Sequence, residues 1–224
     1  MATLYVVGTP IGNLSDISER AKATLACVHT VLCEDTRVTG KMLSSYKISV
    51  PMLSYHQHSG QLKTVKIIEL LEAGYDLALV TDAGTPTISD PGGHLVQELL
   101  THFGETLSII PIPGACAAIA ALSIAGVSAD EFVFLGFPPH KKGRQSFFDR
   151  MAGIYSTVIF YESTHRIFKT LDEIEKRMPT RHLVVCRELT KMYETTYRGT
   201  ATEIIQKLQS SSFKGEFALV LSPV

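Results

Sequence analysis

Short aliphatic runs alternate with helix-period segments along almost the whole chain, and this alternation leaves few folds open. The first set of runs is Leu4–Val7, Thr30–Cys33, Leu77–Val80 and Leu107–Ile112, with a weaker one at Val50–Ser54. Between them the spacing predicts helices over Asp16–Val28, Thr39–Tyr46, Gln61–Ala73 and Gly93–Phe103. Ile17, Ala21, Leu25 and Val28 share one face of the first helix, and Leu62, Val65, Ile68 and Leu71 are expected to share one face of the third. Ser15 is the expected N-cap of the first helix. Leu4–Val7 and Leu77–Val80 are apolar without interruption, as in parallel strands buried on both faces. A βαβα rhythm of this kind indicates an α/β layer fold.

A second alternation follows. Strands are predicted at Phe132–Phe137, Thr157–Tyr161, His182–Cys186 and Phe217–Leu221, with a further one at Tyr193–Arg198. Helices are predicted at Gln145–Ala152, His165–Arg177 and Thr202–Gln209. The expected organisation is two α/β domains with parallel or mixed sheets, residues 1–113 and residues 114–224. The charge-free stretch Thr106–Ala129 is not a membrane span, because Pro111, Pro113 and Gly114 break it and a span needs about 20 helical residues.

Composition removes several classes. Of 224 residues, 45% are apolar and 19% charged, which excludes general disorder. The 21 basic and 22 acidic side chains nearly cancel, so no strong field holds nucleic acid non-specifically. The halves differ: residues 1–113 carry 7 basic and 11 acidic groups, and residues 114–224 carry 14 and 11. Cys27, Cys33, Cys116 and Cys186 form no C-x-x-C pair. Reduced thiols, and a cytoplasmic location without an export signal, are the expectation.

Ligands of open parallel sheets bind at loops that follow strands, and three such loops are unusual here. Gly8-Thr9-Pro10-Ile11-Gly12-Asn13-Leu14 follows the first strand. It fits neither G-x-G-x-x-G nor G-x-x-x-x-G-K-[ST], so an ordinary dinucleotide oxidoreductase or a P-loop enzyme is disfavoured. Thr81-Asp82-Ala83-Gly84-Thr85-Pro86-Thr87-Ile88-Ser89-Asp90-Pro91-Gly92-Gly93 packs three glycines, two prolines, two carboxylates and four hydroxyls into 13 residues. Such a loop presents many backbone donors and acceptors to a ligand. Ile112-Pro113-Gly114-Ala115-Cys116-Ala117-Ala118 is lined with small residues that let a flat ligand approach the backbone.

Polar clusters fall mostly at the same kind of place. Glu34-Asp35-Thr36-Arg37, His56-Gln57-His58, Phe160-Tyr161-Glu162-Ser163-Thr164-His165-Arg166 and Arg187-Glu188-Leu189-Thr190-Lys191 follow expected strands. Lys214-Gly215-Glu216 precedes the last one. His56 and His58 lack partners at ligand spacing, so no metal site is expected. No G-x-S-x-G or H-E-x-x-H occurs, which removes two hydrolase classes. Lys141-Lys142-Gly143-Arg144 is the one dense basic run, suited to phosphate or to a merely solubilising loop.

Taken in order, TPIGNLSDIS, CEDTR, VTDAGTPTISDPG, PIPGACAAIAALS, FYESTHR, RELTK and KGE resemble the ribosomal RNA small subunit methyltransferase I family of the tetrapyrrole methylase (class III) superfamily. The resemblance covers nearly the whole chain. It implies a homodimer of two-domain subunits with a cofactor cleft between the domains. It also implies an S-adenosylmethionine-dependent 2′-O-methyltransferase acting on a cytidine in the decoding region of small-subunit ribosomal RNA, on the 30S subunit. By motif, the methyl donor is expected against Pro10, Gly84, Thr85, Pro86, Ile88, Ser89, Asp90, Pro113, Gly114, Ala115, Cys116, Ala117, Tyr161, Leu189, Lys214, Gly215 and Glu216. Asp35, Glu162, Glu188, His56 and His58 are candidate proton acceptors, left unranked. Arg37, Arg166 and Lys191 are candidates for phosphate or for a developing oxyanion. Tetrapyrrole-directed relatives carry a GDP-x-x-Y-G-like loop where this chain reads Gly84-Thr85-Pro86-Thr87-Ile88-Ser89-Asp90, which favours the RNA branch. The RNA branch usually continues past the KGE strand, whereas this sequence ends at Val224. A corrin- or diphthine-type methylase and a non-catalytic RNA-binding module remain alternatives.

Overall fold

A computed structural model describes residues 2–55, 61–90 and 92–224. The chain divides into two compact units, Met1–Cys116 and Ala117–Val224. Residues 113–116 go with the first unit, because Thr85 Oγ1 donates to the Ala115 carbonyl (3.1 Å) and Gly114 lies against Gly8.

The first unit is a five-stranded sheet of β1 (Thr3–Val7), β2 (Thr30–Cys33), β3 (Met52–Ser54), β4 (Leu77–Leu79) and β5 (Ser108–Ile112), in the order β3-β2-β4-β1-β5. Every pairing is parallel. Helices α1 (Glu19–Cys27), α2 (Thr36–Ser45), α3 (Gln61–Glu72) and α4 (Gly92–Phe103) cover both faces. Val31, Cys33, Ala78 and Val80 join a core with Ala21 and Leu25 of α1 and Met42 and Leu43 of α2. Leu4, Leu32, Leu77 and Leu79 point the other way, to Ile67 and Leu71 of α3 and Leu95 and Leu99 of α4. Burial on both sides is why these strands read as unbroken apolar runs. Neighbouring strands β1 and β4 therefore send their following helices to opposite faces. That reversal is the topological switch point at which an open α/β sheet offers a crevice beyond its carboxyl edge.

The second unit is a mixed sheet. Its elements are α5 (Ala117–Ala125), β6 (Phe132–Phe134), α6 (Arg144–Ala152), β7 (Thr157–Ser163), α7 (Ile167–Arg177), β8 (Leu183–Arg187), β9 (Thr195–Gly199), α8 (Ala201–Gln209) and β10 (Glu216–Leu221). Strand order is β6-β7-β10-β8-β9, with β6 and β7 parallel and the other pairs antiparallel. Phe148 and Met151 of α6, Ile167, Leu171 and Ile174 of α7, and Ile204 and Leu208 of α8 pack on Val158, Phe160, Val185, Phe217 and Leu219. The small residues Ala118, Ala121 and Ala125 bring α5 against β7 and β10. Because β10 runs antiparallel to both β7 and β8, the carboxyl ends of β7 and β8 and the amino end of β10 share one edge. Among the described residues no helix is long and apolar enough to cross a membrane; the charge-free stretch becomes β5, a turn and the nine-residue α5.

Several boundaries differ from expectation. Helix α1 starts at Glu19 and is capped by Ser18, whose hydroxyl accepts from Ala21 N (3.1 Å); Leu14–Asp16 form a separate 3-10 turn capped by Asn13, so Ser15 caps nothing. In α3 the buried side chains are Ile67 and Leu71, while Leu62 and Val65 are exposed. Three-residue steps each fall about 60° short of a turn, so Leu62 and Leu71 end roughly 180° apart. Strand β7 runs on to Ser163, which takes Glu162 out of the loop and into the sheet. Ser18→Ala is expected to destabilise the protein by about 1 kcal/mol, the usual worth of an N-cap. Ser15→Ala should stay within about 0.5 kcal/mol. Denaturant unfolding that gives equal losses for both would contradict this capping assignment.

Candidate functional site

At the carboxyl edge of the first sheet three loops are knitted together by backbone contacts. Strands β1 and β5 run in register to Val7 and Ile112, and Gly8 N donates to the Ile112 carbonyl (3.0 Å). The chains beyond them touch: a Cβ on Gly8 would sit 2.8 Å from Gly114 Cα, and one on Gly114 would sit 2.7 Å from the Gly8 carbonyl oxygen. Thr9, 1% exposed, donates its N–H to the Gly84 carbonyl (2.9 Å) and aims its hydroxyl at the Thr81 and Gly84 carbonyls. Thr85 closes the third side on Ala115. Pro10 and Pro86 are buried in this assembly, while Ile88 and Ser89 are exposed and Pro113, Gly114, Ala115 and Cys116 border it. All lie at the switch point of the sheet.

The loop after β4 is under backbone strain. Gly84 (φ +90°) is free to adopt the left-handed region, but Thr87 (φ +76°) and Ser89 (φ +63°) are not. Strain of this kind persists where surrounding structure over-determines it, and it clusters at ligand sites. Asp90 ends the loop. Its Oδ1 accepts from Gly92 N (2.7 Å), whereas its buried Oδ2 finds no partner among the described residues. A buried carboxylate oxygen without a donor is a place made for one. The donor-rich groups of S-adenosylmethionine, an ammonium and two ribose hydroxyls, fit that requirement.

Carboxylates crowd this edge. Burial first, and then the charges of Asp82 and Asp90, push the Glu34 carboxyl above its usual range. Burial likewise raises Asp82, whose Oδ1 accepts from Asp35 N (3.3 Å). Asp35 behaves oppositely. It caps α2, and the Arg37 guanidinium holds it down to about 2 through contacts of 2.6–3.2 Å. The Arg37 side chain is otherwise open to solvent. Glu34 and Asp82 were not among the expected functional residues, because their property arises from a contact between two loops remote in sequence.

The second unit gathers its motifs at one sheet edge. The Tyr161 ring lies between Phe134 and Phe137, and its Oη accepts from Ala118 N (3.0 Å) in the first turn of α5, next to Ala117. Leu189, largely buried, sits between two left-handed residues, Glu188 (φ +52°) and Thr190 (φ +64°). Glu188 accepts from Glu216 N (2.9 Å). Lys191 Nζ bridges Glu188 (3.0 Å) and Glu216 (2.8 Å). Burial opposes both charges, but the Glu216 N–H and the ammonium outweigh it and hold Glu188 below its usual range. Against the same burial, the two carboxylates hold Lys191 above its own. Thr164 pins the other side of Gly215 through both its N–H (2.7 Å) and its carbonyl (2.5 Å). A Cβ on Gly215 would strike the Glu188 side chain at 2.5 Å. The Lys214–Glu216 turn is thus fixed by Thr164 and Glu188 together.

Glu162 and Arg166 are placed differently from expectation. Along β7, Phe160 and Glu162 alternate with Tyr161 and so point to the face covered by α6 and α7. Glu162 is 1% exposed, and both of its oxygens are engaged. Oε1 faces Arg166 Nε (2.8 Å) and accepts from Ser163 N (2.8 Å); Oε2 accepts from Thr170 Oγ1 (2.6 Å) and lies 3.7 Å from Arg144. It is not poised to take a proton from a substrate. Arg166 is spent on Glu162, Ser163 and the Pro138 carbonyl (2.7 Å) rather than open to phosphate. Arg144 belongs to the basic run noted in the sequence, but its pairing with Glu162 was not expected, and Thr170 was missed because nothing in its own sequence context marks it. His56 and His58 lie outside the described residues, and among those no cluster suited to a metal ion occurs.

Comparison with known proteins gives three results. The sequence profile described as tetrapyrrole (corrin/porphyrin) methylases matches residues 3–205. Proteins named ribosomal RNA small subunit methyltransferase I are similar over nearly the full chain. The one from Synechocystis sp. is 45% identical, covering 99% of this chain and 79% of its own; that from Bacillus subtilis is 42% identical, covering 99% and 75%. Among solved structures, a diphthine synthase aligns over 99% of this chain and 90% of its own with TM-score 0.74 at 13% identity. A uroporphyrin-III C-methyltransferase from Thermus thermophilus aligns over 99% and 94% with TM-score 0.66 at 16%. At such identities the structural likeness speaks for the fold alone.

Because its folded pKa is raised, the Glu34 contribution to stability is full below the unfolded value near 4.5 and is lost as pH rises through the higher folded value. Glu34→Gln should therefore melt progressively higher relative to the unaltered protein as pH goes from 4 to 8. A difference in melting temperature that stays flat across that range would remove the carboxylate cluster from this account.

Proposed function

The chain belongs to the ribosomal RNA small subunit methyltransferase I family within the tetrapyrrole methylase superfamily, and from that we propose that it methylates a ribose 2′-hydroxyl of a cytidine in small-subunit ribosomal RNA. The observation that carries the reading is identity of 42–45% across 99% of the chain to proteins of that name. The small-molecule methylases share the fold at only 13–16%, so they are the weaker guide to substrate. The resemblance adds a cytoplasmic homodimer working on the 30S subunit, to be checked by light scattering and by activity on intact subunits.

S-adenosylmethionine, when bound, supplies a methyl group on a sulfonium centre, which needs no metal to be reactive. The rest is asked of the chain. We assign donor binding in the first unit to the edge formed by Pro10, Gly84–Asp90 and Pro113–Cys116, with the orphaned Asp90 Oδ2 as its polar anchor. In the second unit we assign it to Ala117, Tyr161, Leu189 and Lys214–Glu216. The chain must also hold the acceptor oxygen about 3–3.5 Å from the methyl carbon and take up its proton. Asp35, held at about 2 by Arg37, is a weak base; its firm geometry suits the positioning of Arg37, whose open guanidinium suits phosphate. Glu162 and Arg166 are positioning residues for the segment after β6. Lys191, held between Glu188 and Glu216, has its charge already engaged and serves to position the Lys214–Glu216 turn.

Two experiments test this reading. Asp90→Asn keeps one side-chain oxygen to cap α4 and turns the orphaned acceptor into a donor. Affinity for S-adenosylmethionine by calorimetry should fall at least about tenfold, the worth of a hydrogen bond to a charged group, with the melting temperature nearly unchanged. Undiminished affinity would take Asp90 out of the site. Incubation with labelled donor and small subunits from cells lacking the modification should place label on one cytidine ribose. Label on protein, on a base, or on a tetrapyrrole offered in competition would refute the substrate assignment.

A further inference from the structure

We propose that the segment after β6 and the first turn of α6 form a binding site for a backbone phosphodiester of the RNA, apart from the residues assigned to the methyl donor. The proposal rests on the RNA reading above and names where that substrate is gripped.

A cavity of about 580 Å³ opens there, with Lys141, Arg144, Ser146 and Lys169 in its wall. Asp149 and Glu173 also line it, and Arg177 pairs with both, at 2.6 and 2.5 Å. With Lys141 and Lys169 this makes three cations against two carboxylates, a net charge of +1 beyond the Arg144–Glu162 pair. Lys141 and Lys169 are exposed and make no ion pair among the described residues. The helix adds donors. Its cap is Gly143 (φ +83°), which offers no side-chain acceptor, and the Gln145 and Ser146 N–H groups have no acceptor among the described residues. First-turn N–H groups with the helix dipole behind them favour an anion. A further donor is buried: Arg144 is 5% exposed, and its Nε–H has no partner among the described residues although Nη1 and Nη2 are both used. A buried guanidinium N–H left unpaired in a cavity wall calls for an acceptor that the protein does not supply.

The wall is also rigid. Glu162 holds Arg144 and Arg166, and these two arginines donate to consecutive carbonyls, Pro139 (3.3 Å) and Pro138 (2.7 Å). The buried carboxylate, unsuited to proton transfer, thereby fixes the basic segment ahead of its ligand, so little ordering entropy is lost on binding. Prolines at 138 and 139 restrict that segment further.

The test compares Lys141→Ala/Lys169→Ala with Lys176→Ala/Lys207→Ala, which removes two positive charges of the same unit outside the cavity. Lys141 and Lys169 are exposed, so folding is expected to survive, and circular dichroism with S-adenosylmethionine affinity checks it. Binding to unmethylated small subunits is followed against salt. The cavity variant should bind at least tenfold more weakly, and its log K against log[salt] slope should shrink by about 1.4, two contacts at about 0.7 each. Lys141→Arg/Lys169→Arg should restore both. An unchanged slope, or an equal loss in the control variant, overturns the proposal. So does inorganic phosphate binding that the cavity variant abolishes while RNA affinity stays the same. If the unaltered protein neither binds nor labels small subunits, the RNA reading itself has failed. If it labels them and the cavity variant equals it, only the phosphate site has failed.

Discussion

The architecture of the first unit depends on one contact, the backbone of Gly8 against the backbone of Gly114. Parallel pairing of β1 with β5 brings the two chains side by side in register, and any side chain at either position would push them apart. With that contact made, Thr9 can reach Gly84 and Thr85 can reach Ala115, and three loops far apart in sequence become one surface. The surface is largely main chain. A ligand held there meets N–H and carbonyl groups whose positions are set by the sheet rather than by rotamers, which is the economical way to preorganise a site. The strained Thr87 and Ser89 are tolerated because the sheet edge fixes both ends of their loop.

The two units treat acidic side chains in opposite ways. At the edge of the first sheet, Glu34, Asp82 and Asp90 lie together with no ion pair of their own among the described residues, and the pKa values of Glu34 and Asp82 rise. In the second unit Glu162 lies with Arg144 and Arg166, and Glu188 and Glu216 share Lys191. A buried carboxylate that lost its cations would be left as an uncompensated charge, so the second arrangement locks structure in place. Burial of carboxylates without a cation among the described residues, with mutual repulsion added at Glu34, does the reverse. It lowers stability, and selection tolerates such a cost chiefly where function requires it.

Much of this was legible in the sequence. Strands buried on both faces announce themselves as unbroken apolar runs, and β1, β2 and β4 lie within or beside the runs at Leu4–Val7, Thr30–Cys33 and Leu77–Val80. The glycine- and proline-rich loops were visible because close backbone approach leaves few residue types able to serve. The misreadings have specific physical causes. Ser15 and Ser18 are equally good caps by type, and only the 3-10 turn at Leu14–Asp16 decides between them. The stripe Leu62, Val65, Ile68 and Leu71 looked amphipathic because steps of three approximate a helical turn over short spans, but the error accumulates. Pairings such as Glu34 with Asp82, or Arg144 with Glu162, span loops or helices that only the tertiary fold brings together, and no local pattern encodes them.

The case of Glu162 shows why a motif and a role have to be separated. FYESTHR contains a carboxylate, two basic side chains and three hydroxyls in seven residues, which reads as reactive machinery. Strand alternation divides it. Tyr161 takes the face toward α5, where its hydroxyl receives the Ala118 N–H; Glu162 takes the opposite face and is saturated by Arg166, Thr170 and Ser163. Had β7 ended at Tyr161, the same carboxylate would have stood in a loop, free to turn toward a ligand. Its continuation to Ser163 is held by pairing of Glu216 with Ser163 and of Phe217 with Glu162. The length of one antiparallel ladder therefore decides whether this acidic side chain exchanges protons or holds the fold, and here it holds the fold.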